Sequence, residues 1–96
     1  MNLYSGHNKR VVCADGASMS VQASRLHYCT PEDDEGPYTA VEVGYPSGIA
    51  DEEFVDAYAH QLYVGQDITP RVPVYTILSI IERHGGMVEG ELPRFV

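Results

Sequence analysis

The chain has no tryptophan, only two phenylalanines and only two cysteines. Two thiols close one bridge at most, so a disulfide-stapled scaffold is excluded. No C-x-x-C pair occurs either. No apolar run approaches the ~20 residues that cross a bilayer. The opening MNLYSGHNKR puts no apolar stretch behind its positive charges, so it does not read as a signal peptide. These absences predict a cytoplasmic chain, inside a host cell, with no membrane partner. Cys13 and Cys29 are then expected as free thiols, packed as small apolar groups.

Basic residues are scarce as well. Six Lys and Arg stand against 14 Asp and Glu, for a formal net charge of -8. The cations are Lys9, Arg10, Arg25, Arg71, Arg83 and Arg94, and only the first two are adjacent. No basic stripe is available to hold phosphate, so direct nucleic-acid binding is excluded. The chain also lacks G-x-S-x-G, H-E-x-x-H, a P-loop and G-x-G-x-x-G.

What is present fits one small domain over residues 1–96, with 1–8 expected to be irregular. Apolar residues make up 44%, enough for a single core. A chain this short buries roughly 60–65% of its unfolded surface, which leaves little room for a deep cleft. The acidity has two readings. It can simply keep a small protein soluble, or it can form a face that docks on a basic partner.

The text from Arg10 reads RVVCA-DG-ASMSVQAS. Asp15-Gly16 signals a two-residue hairpin, which sets Cys13 opposite Ser18 and Val12 opposite Met19. Met19, Val21 and Ala23 alternate with polar residues, so the second strand has one wet face. The apolar phase shifts at Arg25-Leu26, where a bulge or strand end is expected. TPEDDEGP (30–37) reads as a loop bracketed by Pro31 and Pro37. YTAVEVGY follows as a strand, with Val41 and Val43 toward the core. IADEEFVDAYAHQL reads as a helix capped by Asp51 or Ser47, with Phe54, Ala57, Tyr58 and Leu62 on one stripe. Asp51, Glu52 and Glu53 then offset its dipole, and Gly65 stops it. QDITPRVP (66–73) reads as a loop. VYTILSIIERHGG is the clearest helix, with Val74, Ile77, Leu78 and Ile81 on one face, Ile80 and His84 alongside, and Gly85 beyond its end. Met87–Glu89 is expected as a short edge strand.

Four constellations around HYCTPEDDEGPYTAVEV carry possible chemistry. His27 and Cys29 share a strand face and could meet on a metal, but four ligands with a zinc spacing are not visible. A calcium loop with Gly36 at its sixth position would place Pro31 at its first, where an oxygen ligand is needed. Cys13 or Cys29 beside His27, His60 or His84 does not by spacing make a nucleophilic dyad. Carboxylate pairs such as Asp33 with Glu35, or Glu52 with Asp56, are poor acid catalysts in a solvated setting. Seven tyrosines remain, and tyrosine joins large apolar area to a polar tip. Tyr28 and Tyr38 flank the acidic loop, which points to an interface.

The blocks VQASRLHYCTPEDDEGPYTAVEVGYPS and VPVYTILSIIERHGG resemble short uncharacterised reading frames of bacteriophages and prophages. The resemblance covers about two thirds of the chain. It implies the type of small acidic phage protein that binds a host protein, as anti-CRISPR and other anti-defence inhibitors do.

The expected fold is α+β: a small antiparallel meander of three to four strands with two helices packed on one face. The expected function is a non-enzymatic acidic binding protein, a phage-type inhibitor that docks on a basic, nucleic-acid-handling host protein. Its contacts would come from Tyr28, Glu32, Asp33, Asp34, Glu35 and Tyr38, with a second patch of Asp51, Glu52, Glu53 and Asp56. No catalytic residue, metal or cofactor is assigned. The alternatives are a small metal- or ligand-binding protein centred on His27 and Cys29, or a homo-oligomeric phage accessory protein, such as a homodimer.

Overall fold

The computed structural model describes residues 8–54 and 68–96. Within them lie five strands: β1 (Val11–Cys13), β2 (Ser18–Gln22), β3 (Ala40–Ser47), β4 (Ile68–Pro73) and β5 (Met87–Glu89). They form one sheet in the order β4-β3-β2-β1-β5, and every pairing is antiparallel. One α-helix, α1 (Val74–Arg83), accompanies them, with a 3-10 turn at Asp51–Phe54.

This corrects the expectation of two helices on a three- to four-stranded sheet. The sheet has five strands, and one α-helix lies among the described residues. The expected helix from Asp51 begins as a 3-10 turn. There the Glu53 amide bonds the Ala50 carbonyl, and the Glu53 carboxylate reaches back to the Ala50 amide at 3.0 Å. That reciprocal pair is a capping arrangement. Ala57, Tyr58, Leu62 and Gly65, expected to continue that helix, lie outside the described residues.

The segment ITPRVP, expected as a loop, is strand β4. Its prolines hid it, since they cannot donate to a ladder. They are tolerated because β4 sits at the sheet edge. Its register against β3 slips between Val41 and Val43, and Arg71 takes a left-handed φ of 50° in the bulge so formed.

The first hairpin also differs from expectation. Val11 faces Met19 and Val12 faces Ser18, one residue away from the expected pairing. The loop is three residues long: the Gly16 amide bonds Cys13 O at 2.9 Å, and Cys13 N bonds Ala17 O at 2.8 Å. Gly16 alone takes positive φ (93°). The apolar pattern decides the register, because a one-residue slip moves side chains to the other face. The observed pairing puts Val11 and Met19 together inside.

Val11, Cys13, Met19, Val21, Val41, Val43 and Val72 cover one face of the sheet and are fully buried. Phe54, Ile77 and Ile80 pack with them in the same core. Burying each isoleucine contributes about 1.5–3 kcal/mol. Leu78, expected on this face, is 50% exposed; Thr76 is buried instead. The helix therefore presents 76, 77 and 80 inward, with Val74 and Ile81 partly buried beside them. Gly85 at φ 92° ends it, with Gly86 N bonded to Ile81 O and Gly85 N to Glu82 O. The hairpin turn docks on that end through Asp15 N to His84 O and Ala14 N to Gly86 O.

Candidate docking surface around the acidic loop

Two consecutive loops carry the expected contact residues. The first turns on Ser24, whose hydroxyl accepts the Leu26 amide at 3.0 Å and whose carbonyl accepts the His27 amide at 3.1 Å. Leu26 and Tyr28 project outward, 69% and 53% exposed. Cys29 turns inward. Its thiol lies 3.2 Å from the carbonyls of Ser24 and Pro31. Burial pushes that thiol above its ordinary pKa, and the neighbouring carboxylates Glu32, Asp33 and Glu42 add to the effect, against the Ser24 hydrogen bond. His27 stays half-exposed, with Nδ1 2.6 Å from Ser24 Oγ. The strand geometry that would let His27 and Cys29 converge is therefore not adopted.

The second loop is the acidic one. Thr30 bridges to Ala40 and closes its base, and both Thr30-Pro31 and Gly36-Pro37 are cis. Asp33 Oδ1 accepts the amides of Glu35 at 3.0 Å and Gly36 at 2.8 Å. This side chain organises the loop as an Asx turn. Tyr38 supports it from beneath. Tyr38 is buried, and its hydroxyl donates to Asp33 O at 2.8 Å. A Cβ on Gly36 would lie 2.8 Å from the Tyr38 ring, so glycine is needed there for space as well as for its φ of 69°. Burial, with the carboxylates around it, raises the Tyr38 phenol above its ordinary pKa. Tyr38 thus shapes the surface and offers no face to a partner.

The carboxylates divide by role. Glu32 pairs with Arg71 at 3.1 Å, and the Arg71 guanidinium sits 5.7 Å from the centre of the Tyr28 ring. Asp34 pairs with Arg25 at 3.8 Å and accepts the Arg25 amide at 3.0 Å. Asp33 is spent on the backbone. Among the described residues only Glu35 carries a carboxylate of this loop with no such partner. Both ion pairs are exposed, and pairs of that kind are worth about 0–1 kcal/mol. A competing cation can displace them cheaply.

The second acidic patch does not hold together as expected. Asp51 and Glu52 are exposed, but Glu53 turns inward. It meets His84 Nε2 at 3.0 Å and Arg83 at 3.2 Å. Asp56 lies outside the described residues. On the far side of the same imidazole, Nδ1 meets Asp15. The Asp15 hydrogen bond raises the His84 pKa, burial opposes it and Glu53 reinforces it. For Glu53, burial acts to raise the pKa, yet the Ala50 amide, His84 and Arg83 together bring it below the ordinary value. With a carboxylate at each ring nitrogen, the doubly protonated imidazolium satisfies both. This cluster clamps the hairpin turn, the 3-10 turn and the end of α1.

Residues not foreseen contribute to the surface. Arg71 lies in what read as a proline-rich loop, so its place beside Tyr28 and Glu32 had no signal in spacing. Leu26 had one: it marks the phase break after β2, and an apolar residue out of phase is a candidate for exposure. Among the described residues, no group of three or more His, Cys, Asp or Glu forms a metal-holding set, and no helix is long and apolar enough to cross a membrane. Comparison with protein-family models, curated proteins and solved structures gave no match.

Proposed function

We propose that the protein is a non-enzymatic binding protein that docks on a basic protein partner through residues 25–35. The observation that carries this reading is the adjacency of exposed Leu26 and Tyr28 to an acidic loop already ordered by Asp33 and Tyr38. Exposed apolar anchors ringed by charge are the usual anatomy of an interface. A pre-ordered loop loses little conformational entropy on binding. The resemblance to phage reading frames supports a nucleic-acid-handling host protein as the partner class. Glu32, Asp34 and Glu35 would then occupy Lys and Arg side chains that otherwise hold phosphate.

The test is capture from a bacterial lysate at low and high salt, followed by binding kinetics on the captured partner. Glu35→Lys should slow association and flatten its salt dependence, while Leu26→Ala should speed dissociation. Unchanged kinetics in both variants would overturn the reading.

A second copy of the chain is the other reading with an observation behind it. Residues 87–89 of β5 form a sheet edge and are all exposed. A strand edge of that kind can pair with its equivalent. A solution mass equal to one chain rules the homodimer out.

A further inference from the structure

The face of the sheet turned away from the core carries a pocket of about 230 Å³. Ser20 and Gln22 of β2 and Glu42, Gly44 and Tyr45 of β3 line it, together with His27 and Ile68. Gly44 keeps the floor low, since a Cβ there would sit 3.0 Å from Ile68 Cδ1. From this geometry we propose that the pocket receives one arginine side chain, presented by a partner protein.

Three features point that way. The first is charge. Glu42 is half-buried, and among the described residues its carboxylate has one long contact, 3.3 Å from the Tyr28 amide. No Lys or Arg pairs with it among the described residues, whereas Glu32, Asp34 and Glu53 each have a cation. A carboxylate with so few hydrogen bonds favours a cationic donor.

The second is backbone strain at Tyr45. Its φ is 49°, a left-handed conformation that a bulky residue rarely takes. The β2–β3 register slips here, and the bulge re-aims the side chain over the pocket. Arg10 fixes the distortion, with Nη2 2.5 Å from Tyr45 O and Nε 3.0 Å from Ser18 Oγ. The residue nevertheless remains 59% exposed. Its strained pose is not compensated by burial, and strain of that kind clusters at binding sites.

The third is shape. Tyr45 and Ile68 line the same pocket as Glu42. A planar guanidinium can stack on the ring while it donates two parallel hydrogen bonds to Glu42; an ammonium can do only part of this. The Tyr28 amide at Glu42 makes the pocket continuous with the docking loop. The inference nevertheless stands apart from the loop reading, because it requires only the side chain.

The deciding experiment is a titration of ¹⁵N-labelled protein with N-acetyl-arginine methylamide, and separately with its lysine counterpart. Saturable shifts are expected at the Gly44 and Ser20 amides, at millimolar arginine, with a several-fold weaker response to lysine. Glu42→Gln should abolish them, and Tyr45→Leu should weaken them, in spectra that keep their dispersion. If Glu42→Gln unfolds the chain, Tyr45→Leu decides alone. Glu35→Lys should leave the titration unchanged even though it impairs docking of the loop. Shifts that do not saturate, that survive loss of the carboxylate or the ring, or that are equal for lysine overturn the assignment.

Discussion

His84 Nδ1 stands 2.5 Å from Asp15 Oδ2, joining the turn of the first hairpin to the end of the helix. Glu53 takes the other ring nitrogen, so three separate parts of the chain meet on one imidazole.

The pH dependence of stability follows from that contact. The folded pKa of His84 is raised, so its stabilising contribution is complete below the unfolded value of about 6.5. It is lost as pH rises through the folded value. Asp15 and Glu53 are lowered, Asp15 by the Ala17 amide first and His84 next. Their contributions are present above the ordinary carboxylate values and fade as pH falls through the folded ones. The cluster should therefore support the fold most between about pH 5 and 6.5. Thermal melts across pH should show His84→Gln losing the alkaline arm of the profile; parallel curves for the two proteins would contradict this.

The helix face gives a paired prediction. Ile77→Ala should cost about 2–5 kcal/mol, because its side chain is fully buried in the core. Leu78→Ala should stay within about 0.5 kcal/mol, as expected of a largely exposed site. Urea unfolding of both variants measures the difference.

Tyr38→Phe keeps the buried ring and removes one hydrogen bond to Asp33 O. A loss of about 0.5–1.5 kcal/mol is expected. Faster amide exchange at Glu35 and Gly36 should accompany it. Normal exchange there would mean that Asp33 holds the loop unaided.

Arg71→Ala removes the cation that faces both Tyr28 and Glu32. Both groups are exposed, so global stability should change by no more than about 1 kcal/mol. The loop surface becomes more negative by one charge. Association with a basic partner should therefore quicken at low salt, while Tyr28 loses its stacked neighbour. A large drop in melting temperature would show that the bulge, rather than the charge, depends on this side chain.

The legible parts of the fold are those with a clean period. The stretch 74–83 repeats at helical spacing and is a helix. Val41 and Val43 alternate and face inward. The hidden parts are those where the backbone departs from its period. β4 carries two prolines and a left-handed Arg71, and a strand of that composition looks like a loop until an edge position excuses it. Tyr45 follows the alternation of β3 on paper, yet a bulge turns it outward. The helix stripe misassigned Leu78 alone: Val74, Ile77, Ile80 and Ile81 do pack on the core, and only packing puts Thr76 inside and Leu78 out. The acidic loop was legible as a surface, but its internal division was not. Which carboxylate binds the backbone and which meets an arginine depends on residues far along the chain.

That distance has a consequence in time. Tyr38 N bonds Arg94 O, and Tyr38 O accepts the Val96 amide, so the base of the loop is tied to the end of the described chain. During synthesis the loop emerges before its tether. Long-range contacts of this kind form late. The tethered form of the surface therefore cannot close until residues 94 and 96 have been made. An interaction that depends on the tethered shape waits for those two residues.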